Sequence, residues 1–154
     1  MSNTLQDFLG TATQQAATDL EKALMRLPEE KRNWSPAEKA RTAMDQVAEC
    51  AILNGSTCEL IKSRTWNADY DFPEFLRKKE ELARDWNAMK SLLEENTAKV
   101  IATIREAPDE DLGVVVQMPW GPMTLAQIIA YPYWNMTYHE GQINYIASIL
   151  GCLT

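Results

Sequence analysis

Apolar positions recur at helical spacing over most of the chain. Between about Thr4 and Met25, Leu5, Phe8, Leu9, Leu20, Ala23 and Leu24 fall on one side of a helix, and Gly10 weakens that helix without ending it. Pro28 to Trp34 reads as a linker. Ser35-Pro36-Ala37-Glu38 then combines an N-cap hydroxyl, a proline at the first helical position and a glutamate at the third, which predicts the start of a second helix there. Its inward positions are Ala40, Ala43, Met44, Val47, Ala51 and Ile52. Asn54-Gly55 predicts its end, because glycine takes the positive φ of a helix C-cap at little cost.

From Thr57 to Pro73 the periodicity is poor, and Trp66, Tyr70 and Phe72 stand among polar residues. This stretch reads as an irregular connection that caps one end of the molecule. A short helix follows Pro73. A long one spans Trp86 to Glu106, with Met89, Leu92, Leu93, Val100, Ile101 and Ile104 as its buried stripe and Pro108 as its stop. Val114 to Met118, followed by Pro119-Trp120-Gly121-Pro122, is β-rich and predicts a hairpin arm or an extended crossover. Thr124-Leu125-Ala126-Gln127 is a second capping box and opens a final helix to about Leu150, roughly 38 Å long. The predicted fold is all-α: a four-helix bundle with a long, partly extended connection before the last helix.

Composition narrows the class of function more than the fold. The 154 residues, 45% apolar and 24% charged, suit one globular domain over residues 1–154. Acidic residues outnumber basic ones 22 to 15, and a formal net charge of -7 opposes binding to nucleic acid. Cys50, Cys58 and Cys152 form no CxxC pair, so free thiols in a reducing compartment are expected. No run approaches the ~20 apolar residues of a membrane helix, and MSNTLQDFLG has neither a basic leader nor an apolar signal core. A cytoplasmic location without membrane association is the expectation. Arg77 to Arg84 mixes both signs and reads as a solvated helix face. No glycine-rich phosphate loop, HExxH helix, GxSxG turn or EF-hand loop is present.

The candidate chemistry gathers on two helices. His139 is the only histidine, and its imidazole can serve as a metal ligand, an acid–base group or a buried polar residue satisfied by a neighbour. Asn135 lies one turn before it on the same face, Gln127 and Gln142 extend the polar set, and Tyr131, Tyr138 and Tyr145 add phenols. Polar groups in so apolar a helix need partners, which predicts a buried network or pocket. On the second helix Asp45 and Glu49 are four residues apart, with Thr42 and Gln46 beside them. If Glu49 faces His139, the two either share a charge-assisted hydrogen bond or give oxygen and nitrogen to a divalent metal, with the Asn135 amide oxygen as a further, weaker donor. Trp34, Trp120 and Trp134 close the bundle ends or line an apolar pocket, and core or rim packing is the simpler use for them.

Asn135-Met136-Thr137-Tyr138-His139-Glu140-Gly141-Gln142-Ile143 resembles the His-x3-His-x-Gly-Gln element of the DinB-like superfamily of four-helix metal-binding proteins. Trp34-Ser35-Pro36 and the run from Lys39 to Glu49 look like that family's approach to its first histidine. The resemblance covers nearly the whole chain. It implies a divalent metal (zinc, nickel or manganese) held by one residue of the second helix and two of the last, and a homodimer. Carried over, the later histidine falls on His139, the earlier on Asn135 and the second-helix ligand on Glu49. Gly141 and Gln142 match as well and are assigned to close helix packing and to hydrogen bonding. Two functions follow from the resemblance. One is a non-catalytic domain that keeps the cleft as a small-molecule or structural polar pocket. The other is a divalent-metal-dependent thiol S-transferase or related enzyme acting on a small electrophile. The exchange of two imidazoles for Glu49 and Asn135 favours the first, since amide oxygen is a weak ligand for zinc or nickel.

Overall fold

The apolar stripes become five α-helices and one hairpin in a computed structural model that describes residues 4–154. These are α1 (Thr4–Arg26), α2 (Ala43–Ser63), α3 (Phe72–Leu82), α4 (Trp86–Glu106), β1 (Val115–Met118), β2 (Gly121–Thr124) and α5 (Leu125–Ile149). Residues 1–3, part of the N-terminal stretch read for a leader, lie outside the described residues. Among the described residues no helix is long and apolar enough to cross a membrane.

The bundle consists of α1, α2, α4 and α5, while α3 lies outside it against α2 and α4. The side-chain contacts fix the helix directions. Gln6 at the start of α1 donates to the Ala107 carbonyl beyond the end of α4 at 2.9 Å, so these helices are antiparallel. Phe8 meets Tyr133 edge-on with ring centroids 6.5 Å apart, and Arg26 donates to Asn144 at 2.7 Å, so α1 and α5 run the same way. Asn54 donates to Thr97 at 3.0 Å and Cys58 meets Thr103 at 3.0 Å, which sets α2 parallel to α4. Each helix packs on its parallel partner and on one helix of the other pair, α1 on α4 and α2 on α5, so the consecutive α1 and α2 sit across a diagonal. Leu20, Leu24, Val47, Met89, Met136 and Ile143 fill one part of the core, and Val100, Ile104, Val116, Leu125 and Ile129 fill another beneath the hairpin.

Four elements fall where the hydrophobic pattern puts them: α1, α4, the β-rich run and the capping box of α5, in which Thr124 and Gln127 exchange both bonds. Val115 pairs with Thr124 and Met118 with Gly121, leaving Pro119-Trp120 as a two-residue turn. Gly121 takes a φ of 126°, a backbone state that L side chains rarely adopt.

The second helix departs from expectation at both ends. It starts at Ala43, not near Ser35, because the Ser35 hydroxyl donates to the Ala40 carbonyl at 2.7 Å instead of accepting from a helix N–H. The cap is Thr42, whose hydroxyl accepts from the Asp45 N–H at 3.1 Å. It also runs past Asn54-Gly55 to Ser63, where Arg64 with a φ of 53° ends it. Asn54 is buried against Thr97. Gly55 admits the Asn96 side chain, whose Nδ2 would lie 2.8 Å from an added Cβ and which donates to the Ala51 carbonyl at 2.8 Å. The glycine therefore serves close helix approach, not a stop. Thr42→Ala is expected to lower stability by about 1 kcal/mol while Ser35→Ala leaves it within a few tenths. Denaturant midpoints of the two variants check this, and equal losses would return the cap to Ser35.

Candidate functional site

Rising from its cap at Thr42, α2 turns Gln46, Glu49 and Cys50 toward α5, which presents Asn135 and His139 one turn apart. His139 is 3% exposed, and both ring nitrogens are engaged. Nδ1 lies 2.8 Å from Gln46 Oε1, and Nε2 lies 3.0 Å from Glu49 Oε1. An imidazolium satisfies both contacts by donating twice, whereas a neutral ring requires the Gln46 amide to turn its NH2 toward Nδ1. The Tyr138 ring stands nearly perpendicular to the imidazole, centroids 5.3 Å apart.

The polar chain continues outward. Arg41 Nη2 donates to Glu49 Oε2 at 2.7 Å and its Nε to Asp45 Oδ2 at 2.5 Å, and Lys79 of α3 meets Asp45 Oδ1 at 3.0 Å. Burial alone would raise the Glu49 carboxyl, but the hydrogen bond from His139 and the Arg41 charge outweigh it and hold the group at about 2. Burial, and then the Glu49 charge, push the Cys50 thiol up, so it stays protonated. The Tyr131 phenol is pushed up to about 12, first by burial and then by Glu49, and Tyr70 is raised by the same causes.

Of the three residues carried over as metal ligands, Glu49 and His139 meet directly. The Asn135 side chain is buried beside them but donates to Cys50 Sγ at 3.7 Å. Among the described residues, no group of three or more His, Cys, Asp and Glu side chains is placed to hold a metal ion. Gly141 faces open space on the exposed side of α5, so it is not the close-packing position expected of it.

Glu49 also lines a cleft of about 850 Å³ between α2, α3, the connection 64–71, the hairpin turn and α5. Its walls are mainly apolar and aromatic, with Trp66, Tyr70, Phe75, Trp120 and Tyr131 prominent and Glu49, Glu59 and Lys79 as the charged residues. A second hollow of about 540 Å³ shares Trp120, Met123 and Tyr131 with it and reaches Trp134. Sequence reasoning missed Arg41 and Lys79 and gave Trp66 no place. Asp45 and Glu49 stand one turn apart on α2, and Arg41 reaches both from just before the Thr42 cap, a position that helical spacing does not mark. Nothing in the pattern marks Lys79, which arrives by the tertiary packing of α3.

Residues 12–143 match the sequence profile of the DinB superfamily. The chain belongs to that superfamily. No curated protein matches it. Among solved structures, it is similar to YfiT from Bacillus subtilis, described as a probable metal-dependent hydrolase with an unusual four-helix bundle topology. The identity is 16% and the TM-score 0.80, over 98% of this chain and 90% of that one. It is also similar to the mycothiol-dependent maleylpyruvate isomerase, at 12% identity and a TM-score of 0.72, over 90% of this chain. The DinB-superfamily chain spans 60% of that isomerase's length. At these identities both likenesses establish the four-helix fold and carry no activity across.

Proposed function

We propose that this DinB-superfamily chain is a non-catalytic domain that binds a small molecule in the aromatic cleft. The position carried over for metal ligands is closed by its own side chains. One observation carries the reading: both nitrogens of His139 and both oxygens of Glu49 already have protein partners. The donor set does not fit a resident divalent ion. Zinc sites take three or four protein ligands at roughly 2.0–2.3 Å. Here one imidazole and one carboxylate face each other, and the Arg41 guanidinium 2.7 Å from that carboxylate opposes a second cation.

The test is metal uptake by the untagged protein loaded with zinc, nickel or manganese at neutral pH, beside His139→Ala and Glu49→Ala. The expected result is no stoichiometric metal in any of the three proteins. Stoichiometric metal in the wild type, lost in both variants, would overturn the reading. It would favour a divalent-metal-dependent thiol S-transferase, for which the opening of the cleft at Glu49 is the supporting observation.

A further inference from the structure

We infer that the cleft is shaped for an organic cation, a quaternary ammonium or aromatic amine carried on an apolar body. The inference rests on the reading of the cleft as a small-molecule site and names the ligand's class. Trp66 packs edge-to-face on Trp120, with centroids 5.6 Å apart and planes at 70°, and tilts against Tyr70 at 5.4 Å. Rings set at such angles form the corner of a box, with Phe75 and Tyr131 elsewhere on its walls. The negative faces of aromatic rings attract a desolvated cation within about 6 Å. The protein itself shows that these walls accept one: the Lys79 ammonium lies 5.8 Å from the centre of the Phe75 ring.

Charge points the same way. Glu49 and Glu59 line the cleft, and Lys79 is the one cationic side chain among its described lining residues. Asp45 engages Lys79 at 3.0 Å, and Asp45 and Glu49 engage Arg41. Glu49 is already engaged by Arg41 and His139, so the carboxylate that favours a cation over an anion is Glu59, which lines the cleft and forms no ion pair among the described residues. A net charge of -7 draws cations toward the molecule at low salt.

The experiment titrates the full chain by calorimetry with three probes of matched size: phenyltrimethylammonium, its neutral isostere tert-butylbenzene, and benzenesulfonate. The cation is expected to bind at least tenfold tighter than the neutral isostere, with the sulfonate weakest. Trp120, 66% exposed at the hairpin turn, can be removed without opening the core. Trp120→Ala should weaken the cation severalfold with an unchanged circular dichroism spectrum, and Glu59→Gln should narrow the gap between cation and isostere. Equal binding of cation and isostere, or tighter binding of the sulfonate, overturns the inference and leaves the small-molecule reading standing. Failure of all three probes to bind overturns both.

Discussion

His139→Ala is expected to lower the free energy of unfolding by about 3 kcal/mol, the largest loss we anticipate from any single change at the site. The substitution leaves a cavity where a 3%-exposed ring stood and strips a partner from two groups at once. Gln46, 1% exposed, loses the Nδ1 contact, and Glu49 loses the Nε2 donor while keeping Arg41. The measurement is a urea midpoint with an unchanged slope. Adding Gln46→Ala to His139→Ala should cost less than Gln46→Ala alone, since the contact they share is already gone. A loss below about 1 kcal/mol for His139→Ala, or strict additivity in that cycle, would show the polar chain to be incidental to the fold.

Acid should destabilise the protein through Glu49. The folded carboxyl is held at about 2, against an ordinary value of 4.5, so the folded state binds fewer protons than the unfolded state between these values. The stabilisation is therefore fully present above pH 4.5 and drains away as the pH falls toward 2. The side chain is 17% exposed and partly screened, so the contribution is discounted to about 1–2 kcal/mol. Other carboxylates titrate in the same window. The informative quantity is thus the wild-type curve minus that of Glu49→Gln, which keeps the shape and loses the charge. That difference should be flat above pH 5 and shrink below it. A difference independent of pH would place the worth of Glu49 in packing alone.

The parts of this molecule legible in its sequence are those where one local rule acts unopposed. Thr124 and Gln127 cap α5 by each accepting the other's N–H, and the α4 stripe from Met89 to Ile104 repeats at helical spacing. The second helix departs from its sequence signals at both ends, where another partner takes the residue that carries the signal. Ser35 carries a complete start signal, yet its hydroxyl turns to the Ala40 carbonyl and Thr42 takes over the cap. Asn54-Gly55 reads as a stop until Thr97 and Asn96 on α4 claim both positions. The same holds at the site. Two helical faces allow Glu49 to meet His139 without requiring it, and the turn of Asn135 toward Cys50 depends on the register between α2 and α5. The cleft was least legible. Its walls come from five separate elements, and no periodicity links Trp66 to Trp120.

The diagonal placement of α1 and α2 bears on how the chain reaches its native state. A helix that packs on its immediate successor can form its interface as a local hairpin. In this bundle α1 instead waits for α4 and α5, whose contacts lie about a hundred residues away, Gln6 with Ala107 and Arg26 with Asn144 among them. Closing loops of that length comes before the reward of burial, so folding is governed by long-range search more than in an up-and-down bundle of equal size. During synthesis the apolar face of α1 finds α4 first and stays partly uncovered until the last helix has emerged. That face belongs to the late-formed interfaces, those for which chaperones and self-association compete.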